Sequence, residues 1–243
     1  LAPEVIRLAS DPADAGYRRL TAMRALNAIG TEAEIDAVRQ AVLAEPGDLD
    51  RRLLSELISG LPGTPASVSW LLAAIGRAAP KKKHAVDHLS HELAAYVGRS
   101  PVIDPALVVG LEALLCTAPM LSNLSNQVSQ RFEWVLVAAS RAVDRLIRER
   151  DPIVLTPAAH SIIRRVSTAR SHQSDVVSGE KETFAEMVPV WPELNRAQFW
   201  HDVEQLRVRQ AAKSGPRVID WWRPANYGAA WKFGAGDFDY TVE

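Results

Sequence analysis

The sequence predicts an all-α protein: an α-solenoid of short helix pairs, followed by an aromatic, irregular C-terminal segment. Three observations carry that expectation. A repeat of 33 residues runs through the first half, several helix starts are marked by a capping residue followed by proline, and the aromatic side chains gather towards the end.

The repeat is seen by setting YRRLTAMRALNAIGTEAEIDAVRQAVL, Tyr17–Leu43, over DRRLLSELISGLPGTPASVSWLLAAIG, Asp50–Gly76. Arg18, Arg19 and Leu20 fall on Arg51, Arg52 and Leu53, and Gly30, Thr31 and Ala33 fall on Gly63, Thr64 and Ala66. Ile35, Val38 and Val42 fall on Val68, Leu71 and Ile75. Each copy reads as helix, glycine, helix. Gly30 and Gly63 stand where a helix would end in the left-handed conformation that only glycine adopts cheaply. Thr31 and Thr64 then cap the following helix, with Pro65 in its first turn. The second helix of each copy spaces its apolar residues at i, i+3 and i+7, which makes one buried stripe.

A looser third unit is expected from HAVDHLSHELAAYV, closed by Gly98, and from ALVVGLEALLC, opened by Asp104 and Pro105. Asp11-Pro12 and Thr156-Pro157 carry the same start signal, because a residue before proline is pushed to the extended backbone that an N-cap requires. Two short helices cannot cover their own apolar faces, so neighbouring pairs must stack. The period is close to those of ankyrin and tetratricopeptide units, but T-P-L-H-x-A and W-x2-L-G-x2-Y are both absent. The pairs resemble short HEAT-like repeats.

In the second half, Leu121–Arg150 runs without glycine or proline and predicts one long helix, or two with a bend, stopped by Asp151-Pro152. TPAAHSIIRRVSTAR predicts a further helix. SHQSDVVSGEK and its surroundings, residues 171–182, are polar and weakly periodic, which predicts a hinge or loop. The expected organisation is therefore a repeat array over 1–170, the hinge over 171–182, and a helix with an aromatic-rich cap over 183–243. Asn195 is expected to cap that last helix, which would bury Phe199, Val203 and Leu206.

The closing stretch DWWRPANYGAAWKFGAGDFDY holds seven of the 16 aromatic residues, too many rings, glycines and prolines for a regular helix. Trp221, Trp222, Trp231 and Phe233 read as a lid over the end of the stack, which a solenoid needs. The alternative is a recognition surface, since Trp and Tyr dominate interface hot spots.

VWPELNRAQFWHDVEQLR followed by DWWRPANYGAAWKFGAGDFD resembles segments in the helical region of large bacterial NACHT-type STAND NTPases, some of which act in antiphage defence. The resemblance covers the last quarter of the chain and rests on Trp and Phe spacing. It implies a helical region that senses a trigger or mediates assembly, with the nucleotide site in a separate domain. No functional residue is carried over.

Bulk composition narrows the function classes. A formal net charge of −1 gives no general attraction to nucleic acid or anionic membrane. The lone Cys116 excludes an internal disulfide, and its place in LEALLCT predicts a small buried hydrophobe. No apolar run reaches membrane-spanning length and no signal-peptide pattern opens the chain, so a cytoplasmic protein without a membrane partner is expected. A start at LAPEVI and a stop after FDYTVE read as a fragment of something longer.

Two clusters invite chemistry. In KKKHAVDHLSHE, His84, His88 and His91 share a helical face opposite Val86, Leu89, Leu93, Tyr96 and Val97. His84 and His88 are the metal candidates, with a third ligand from Asp87 or Glu92; a solvated polar face and a pH-sensitive contact are the other readings. Between Arg131 and Arg170 lie eight arginines against four acids. Arg141, Arg145 and Arg148 share a face there, suited either to phosphates or to local partners such as Asp144. Ser178–Lys181 fits S-x-x-K without its companion motifs, and Gly234-Ala235-Gly236 lacks the third glycine of a dinucleotide cradle.

The expected function is a non-enzymatic protein-interaction or sensing scaffold that uses no cofactor, part of a larger protein that acts as a nucleotide-driven switch, of the kind found in antiphage defence. Its candidate contact residues are Arg141, Arg145, Arg148, Trp222 and Trp231. The alternative is a nucleic-acid-binding helical repeat using the Arg131–Arg170 stripe.

Overall fold

The computed structural model describes residues 3–82, 86–118, 120–121, 124–169, 172–211, 231–235 and 238–242. Helices build every core and the fold is all-α in class. Among the described residues the strands are confined to two short antiparallel hairpins. The chain divides into two compact units, Leu1–Ala118 with Ser129–Ala138, and Pro119–Val128 with Ala139–Glu243.

The first unit holds α1 (Pro3–Ser10), α2 (Gly16–Ile29), α3 (Glu32–Leu43), α4 (Arg51–Ile58), α5 (Pro65–Ile75), α6 (His88–Arg99) and α7 (Pro105–Thr117). Their starts are set by local chemistry. Thr31 accepts from the Glu34 amide at 3.3 Å while the Glu34 carboxylate accepts from the Thr31 amide at 2.8 Å, a complete capping box. Thr64 accepts from the Ser67 amide, Asp104 from the Ala106 amide, and Pro65 and Pro105 take the first helical positions. The expected apolar stripes are the buried ones: Ile35, Val38 and Val42 on α3, and Val68, Leu71 and Ile75 on α5.

The helices pack in two rows. α2, α4 and α6 are successive neighbours in one, and α1, α3, α5 and α7 in the other, with α1 against α2, α2 against α3 and α4 against α5 joining the rows. Arginines tie consecutive pairs together. Arg39, 2% exposed, donates to the Leu57 carbonyl at 3.1 Å and pairs with Glu32 and Asp36 at 2.5 and 2.6 Å. Arg77 donates to the carbonyls of Leu43 at 2.6 Å and Gly47 at 3.0 Å, satisfying acceptors left over where α3 ends. Arg19 pairs with Glu45, and Arg51 with Asp87.

Several details depart from the sequence reading. Gly30 has an extended backbone, and the left-handed glycine of the second repeat is Gly60, at φ +78°, rather than Gly63. Gly63 is required by crowding instead: a Cβ there would lie 2.7 Å from Ser100 Oγ and 2.9 Å from Pro101 Cδ. Gly98 is inside α6. Asp11-Pro12 opens a turn, with Asp11 accepting from the Ala13 amide at 2.9 Å, and α2 starts later at Gly16.

The second unit begins with the hairpin of β1 (Met120–Leu121) and β2 (Leu124–Val128). This replaces the start of the long helix expected from Leu121. LSNLSNQVSQ is rich in Ser and Asn, whose side chains compete for backbone hydrogen bonds, and helix does not win until residue 133. α8 (Glu133–Glu149) follows, its residues to Ala138 belonging to the first unit and those from Ala139 to the second. The division between the two units thus falls within α8. Then come a 3-10 turn at Pro152–Leu155, α9 (Pro157–Ser167), α10 (His172–Val176), α11 (Ser178–Val190) and α12 (Pro192–Ala211).

α9, α11 and α12 pack on one another, with the 3-10 turn against both α9 and α12. The expected hinge over 171–182 is a correction: its described residues form α10 and the start of α11. Gln173, Glu180 and Thr183 are buried there because each finds a partner. Gln173 donates to the Val128 carbonyl, Glu180 pairs with Arg141 at 2.7 Å, and Thr183 accepts from Arg148. Asn195 is not a cap, since α12 begins three residues earlier at Pro192. Trp231 and Phe233 lie on β3 (Trp231–Ala235), paired with β4 (Phe238–Val242) so that Trp231 faces Val242 and Phe233 faces Tyr240 in register. β3 runs beside α12, so the segment expected to be irregular is a hairpin in its described part. Trp221 and Trp222 lie outside the described residues.

Candidate functional site

α9 and α12 are held together by polar side chains where an apolar seam would be usual. Among the described side chains of α12 the buried ones are Leu194, Asn195, Gln198 and Asp202, whereas Phe199 and Val203 are half-buried; the Leu206 side chain lies outside the described part. The polar three recur at i, i+3 and i+7, one face of a helix. α9 answers with His160 and Arg164, one turn apart. His160 Nδ1 and Gln198 Oε1 lie 2.9 Å apart, and Gln198 Nε2 donates to the His160 carbonyl at 3.2 Å. Gln198 Nε2 also reaches Asp202 Oδ1 at 3.4 Å, and Asp202 Oδ2 accepts from Arg164 at 3.0 Å. Gln198 and Asp202 are 0% and 2% exposed, so this relay is closed to solvent along most of its length.

The relay opens into a cleft of about 270 Å3 lined by Ser161, Arg164 and Arg165 of α9, by Thr168 just past its end, and by His201, Asp202 and Gln205 of α12. The His160 and His201 rings stand 5.6 Å apart. Burial is the main reason the His160 imidazolium is disfavoured; its pKa falls to about 4, with the Gln198 hydrogen bond opposing and His201 adding to the drop. His160 Nε2 has no partner of hydrogen-bond geometry, although the Leu155 carbonyl weakly favours the charged ring. The ring is therefore neutral at pH 7.

A second cleft, of about 260 Å3, crosses one row of the first unit. Leu20 and Arg24 of α2, Arg52 and Glu56 of α4, and His88 and Glu92 of α6 line it. Arg24 pairs with Glu56 at 2.7 Å.

The residues singled out in the sequence are distributed as follows. Arg141 pairs with Glu180 at 2.7 Å, Arg145 with Glu149 at 2.7 Å and Arg148 with Asp144 at 2.8 Å, so the three arginines of α8 each hold a carboxylate of the same unit. His88 and His91 are exposed on α6, opposite buried Leu89, Leu93, Tyr96 and Val97. Val86, expected on that apolar face, is exposed ahead of the helix. Asp87 is engaged as the cap of α6 and by Arg51. His84 lies outside the described residues, among which no group of three His, Cys, Asp or Glu side chains converges as a metal site. Cys116 corrects its expectation: it is exposed, its Sγ 2.9 Å from Glu112 Oε1, because the buried stripe of α7 is Leu107, Val108, Leu111 and Leu115. Lys181 of the S-x-x-K match donates to the Ala169 carbonyl and to Ser174, both at 3.1 Å. Trp222 is outside the described residues, and Trp231 is placed only by its strand register.

Sequence reasoning missed His160, Gln198 and Asp202. Asn195, Gln198 and Asp202 share a face of NRAQFWHDVEQ that a surface helix would show to water, so nothing in the spacing marked them for burial. Among the described residues no helix is long and apolar enough to cross a membrane. Compared with protein-family models, curated proteins and solved structures, the chain finds no match.

Proposed function

We propose that the chain is a non-enzymatic protein-interaction scaffold whose first unit is a HEAT-like α-solenoid. The observation that carries this reading is the alternation of neighbours in the first unit. Successive helix pairs put one member in the α2, α4, α6 row and the other in the α3, α5, α7 row, as stacked repeats do. The cleft across α2, α4 and α6 draws residues from three consecutive pairs, the kind of extended surface through which repeat arrays hold partners. Exposed Trp200 on α12 supports an interaction role for the second unit too. Placement within a larger cytoplasmic, nucleotide-driven protein belongs to the same proposal.

The nucleic-acid reading is disfavoured at the α8 face, where Arg141, Arg145 and Arg148 each pair with a carboxylate. The test is photo-crosslinking from position 52 in the full chain, followed by reconstitution with the captured protein in purified form. Stoichiometric binding lost in Arg24→Ala/Arg52→Ala supports the scaffold. Salt-dependent binding of DNA or RNA, lost in an Arg141/Arg145/Arg148 triple alanine variant, would overturn it.

A further inference from the structure

We propose that the outward face of α12, centred on Trp200, is the contact between two copies of this chain, joined by an antiparallel pair of α12 helices about a twofold axis. The inference rests on the interaction role given to this helix and names its partner.

Trp200 is 55% exposed, yet its indole is braced: the Phe199 ring meets it edge-on, with centroids 5.4 Å apart and planes at 81°. Phe199 is itself half-buried, so the brace comes from the packed side of the helix. A large ring buries about 150–250 Å2 when it is covered. Tryptophan is also among the residues that carry most of the binding energy at interfaces. Holding the ring in one place beforehand lowers the entropy lost on contact.

The residues around Trp200 say which partner fits. Glu193, Arg196, Glu204 and Val208 are exposed with it. At about 100° per residue they all lie within about 80° of Trp200, so they form one face. An antiparallel pair with its axis through Trp200 sets each position before it against the position equally far after it on the other copy. Arg196, four before, then meets Glu204, four after, and the contact repeats on the far side of the axis. Pro192, eight before, meets Val208, eight after, and both are exposed and apolar. In the sequence Glu193 and Arg207, seven before and seven after, again carry opposite signs.

A twofold contact demands this kind of self-complementarity, because residue i touches j while j touches i. A parallel pair would set Arg196 on Arg196 and Glu204 on Glu204, so the same pattern rejects the wrong orientation. Affinity and orientation come from different groups. Trp200 and Val208, the latter 53% exposed, supply apolar area, while the charges select the geometry. Arg196 and Glu204 need not stand idle in the single chain. Exposed ion pairs are weak, so either side chain turns to the other copy at little cost.

The test is sedimentation equilibrium of the full chain from about 1 µM to about 0.5 mM, a range that reaches weak self-association. A monomer–dimer equilibrium is expected. Trp200→Ala should raise the dimer dissociation constant about a hundredfold or more, since each dimer loses the ring twice. Arg196→Glu and Glu204→Arg should each weaken dimerisation about tenfold, by setting like charges together at both ends of the contact. The double exchange Arg196→Glu/Glu204→Arg should recover most of the wild-type affinity, a result that loss of folding does not imitate. A chain that stays monomeric throughout, a dimer indifferent to Trp200→Ala, or a double exchange no tighter than the single variants would overturn the proposal. The scaffold reading is judged separately, by capture of a different protein from position 52 in the first unit.

Discussion

Acidification from pH 7 to pH 4.5 should loosen the second unit through a single side chain, His160. An exposed histidine titrates near 6.5, whereas burial brings this one down to about 4. Between those values the unfolded chain binds a proton that the folded chain refuses. The contribution of neutral His160 is therefore fully present above about pH 6.5 and is lost as pH falls towards 4. A tenfold change in proton affinity corresponds to about 1.4 kcal/mol, so the whole descent is worth about 3 kcal/mol. That is a large part of the 5–15 kcal/mol typical of a domain. Among the described residues, His201 of α12 is the titratable group whose ring stands beside it, at 5.6 Å, and whose charge adds to the drop. The assay is urea unfolding at a series of pH values for the wild type and for His160→Gln, which keeps a polar amide near Gln198 but cannot titrate. The carboxylates common to both proteins cancel in the comparison. The wild type should lose about 3 kcal/mol more than the variant between pH 6.5 and 4, and the NMR signal of the His160 ring should stay neutral at pH 5.5. Parallel pH curves for the two proteins, or a ring titrating near 6.5, would refute the reasoning.

Three further outcomes follow from the geometry. Gly63→Ala should destabilise the first unit by about 1–3 kcal/mol in thermal unfolding, because its Cβ would press on Ser100 and Pro101. Gly16→Ala, where a Cβ meets nothing within 4 Å, serves as the control and should cost nothing measurable by overpacking. Thr31→Ala should cost about 1 kcal/mol by dismantling the capping box of α3, and Thr31→Ser should restore most of it. Cys116 should react with one equivalent of a thiol-specific reagent in the folded protein, at a rate near that in denaturant; protection until unfolding would contradict its exposed position.

The readable parts of the fold were those governed by neighbours along the chain. Thr31, Thr64 and Thr156 cap helices as expected because the acceptor oxygen and the amide it serves lie within three residues of one another. The buried stripes of α3 and α5 were legible for a similar reason, since periodicity states which side of a rod is apolar. Proline was a less faithful guide. Asp11-Pro12 produced a turn where a helix start was expected. The candidate site was much less legible. Nothing near Gln198 in sequence reveals that a histidine 38 residues earlier shares its hydrogen bonds.

By itself, then, the sequence determined that the chain would be helical, where most rods begin, and which apolar faces they hide, because those depend on contacts a few residues long. Tertiary structure alone decided which polar residues go inside. Burying a histidine, an amide and a carboxylate is costly unless each meets a partner, and the partners of His160, Gln198 and Asp202 come from another helix. The same holds for Glu180, which a composition argument assigns to a solvated loop and which Arg141 draws into the packed interior.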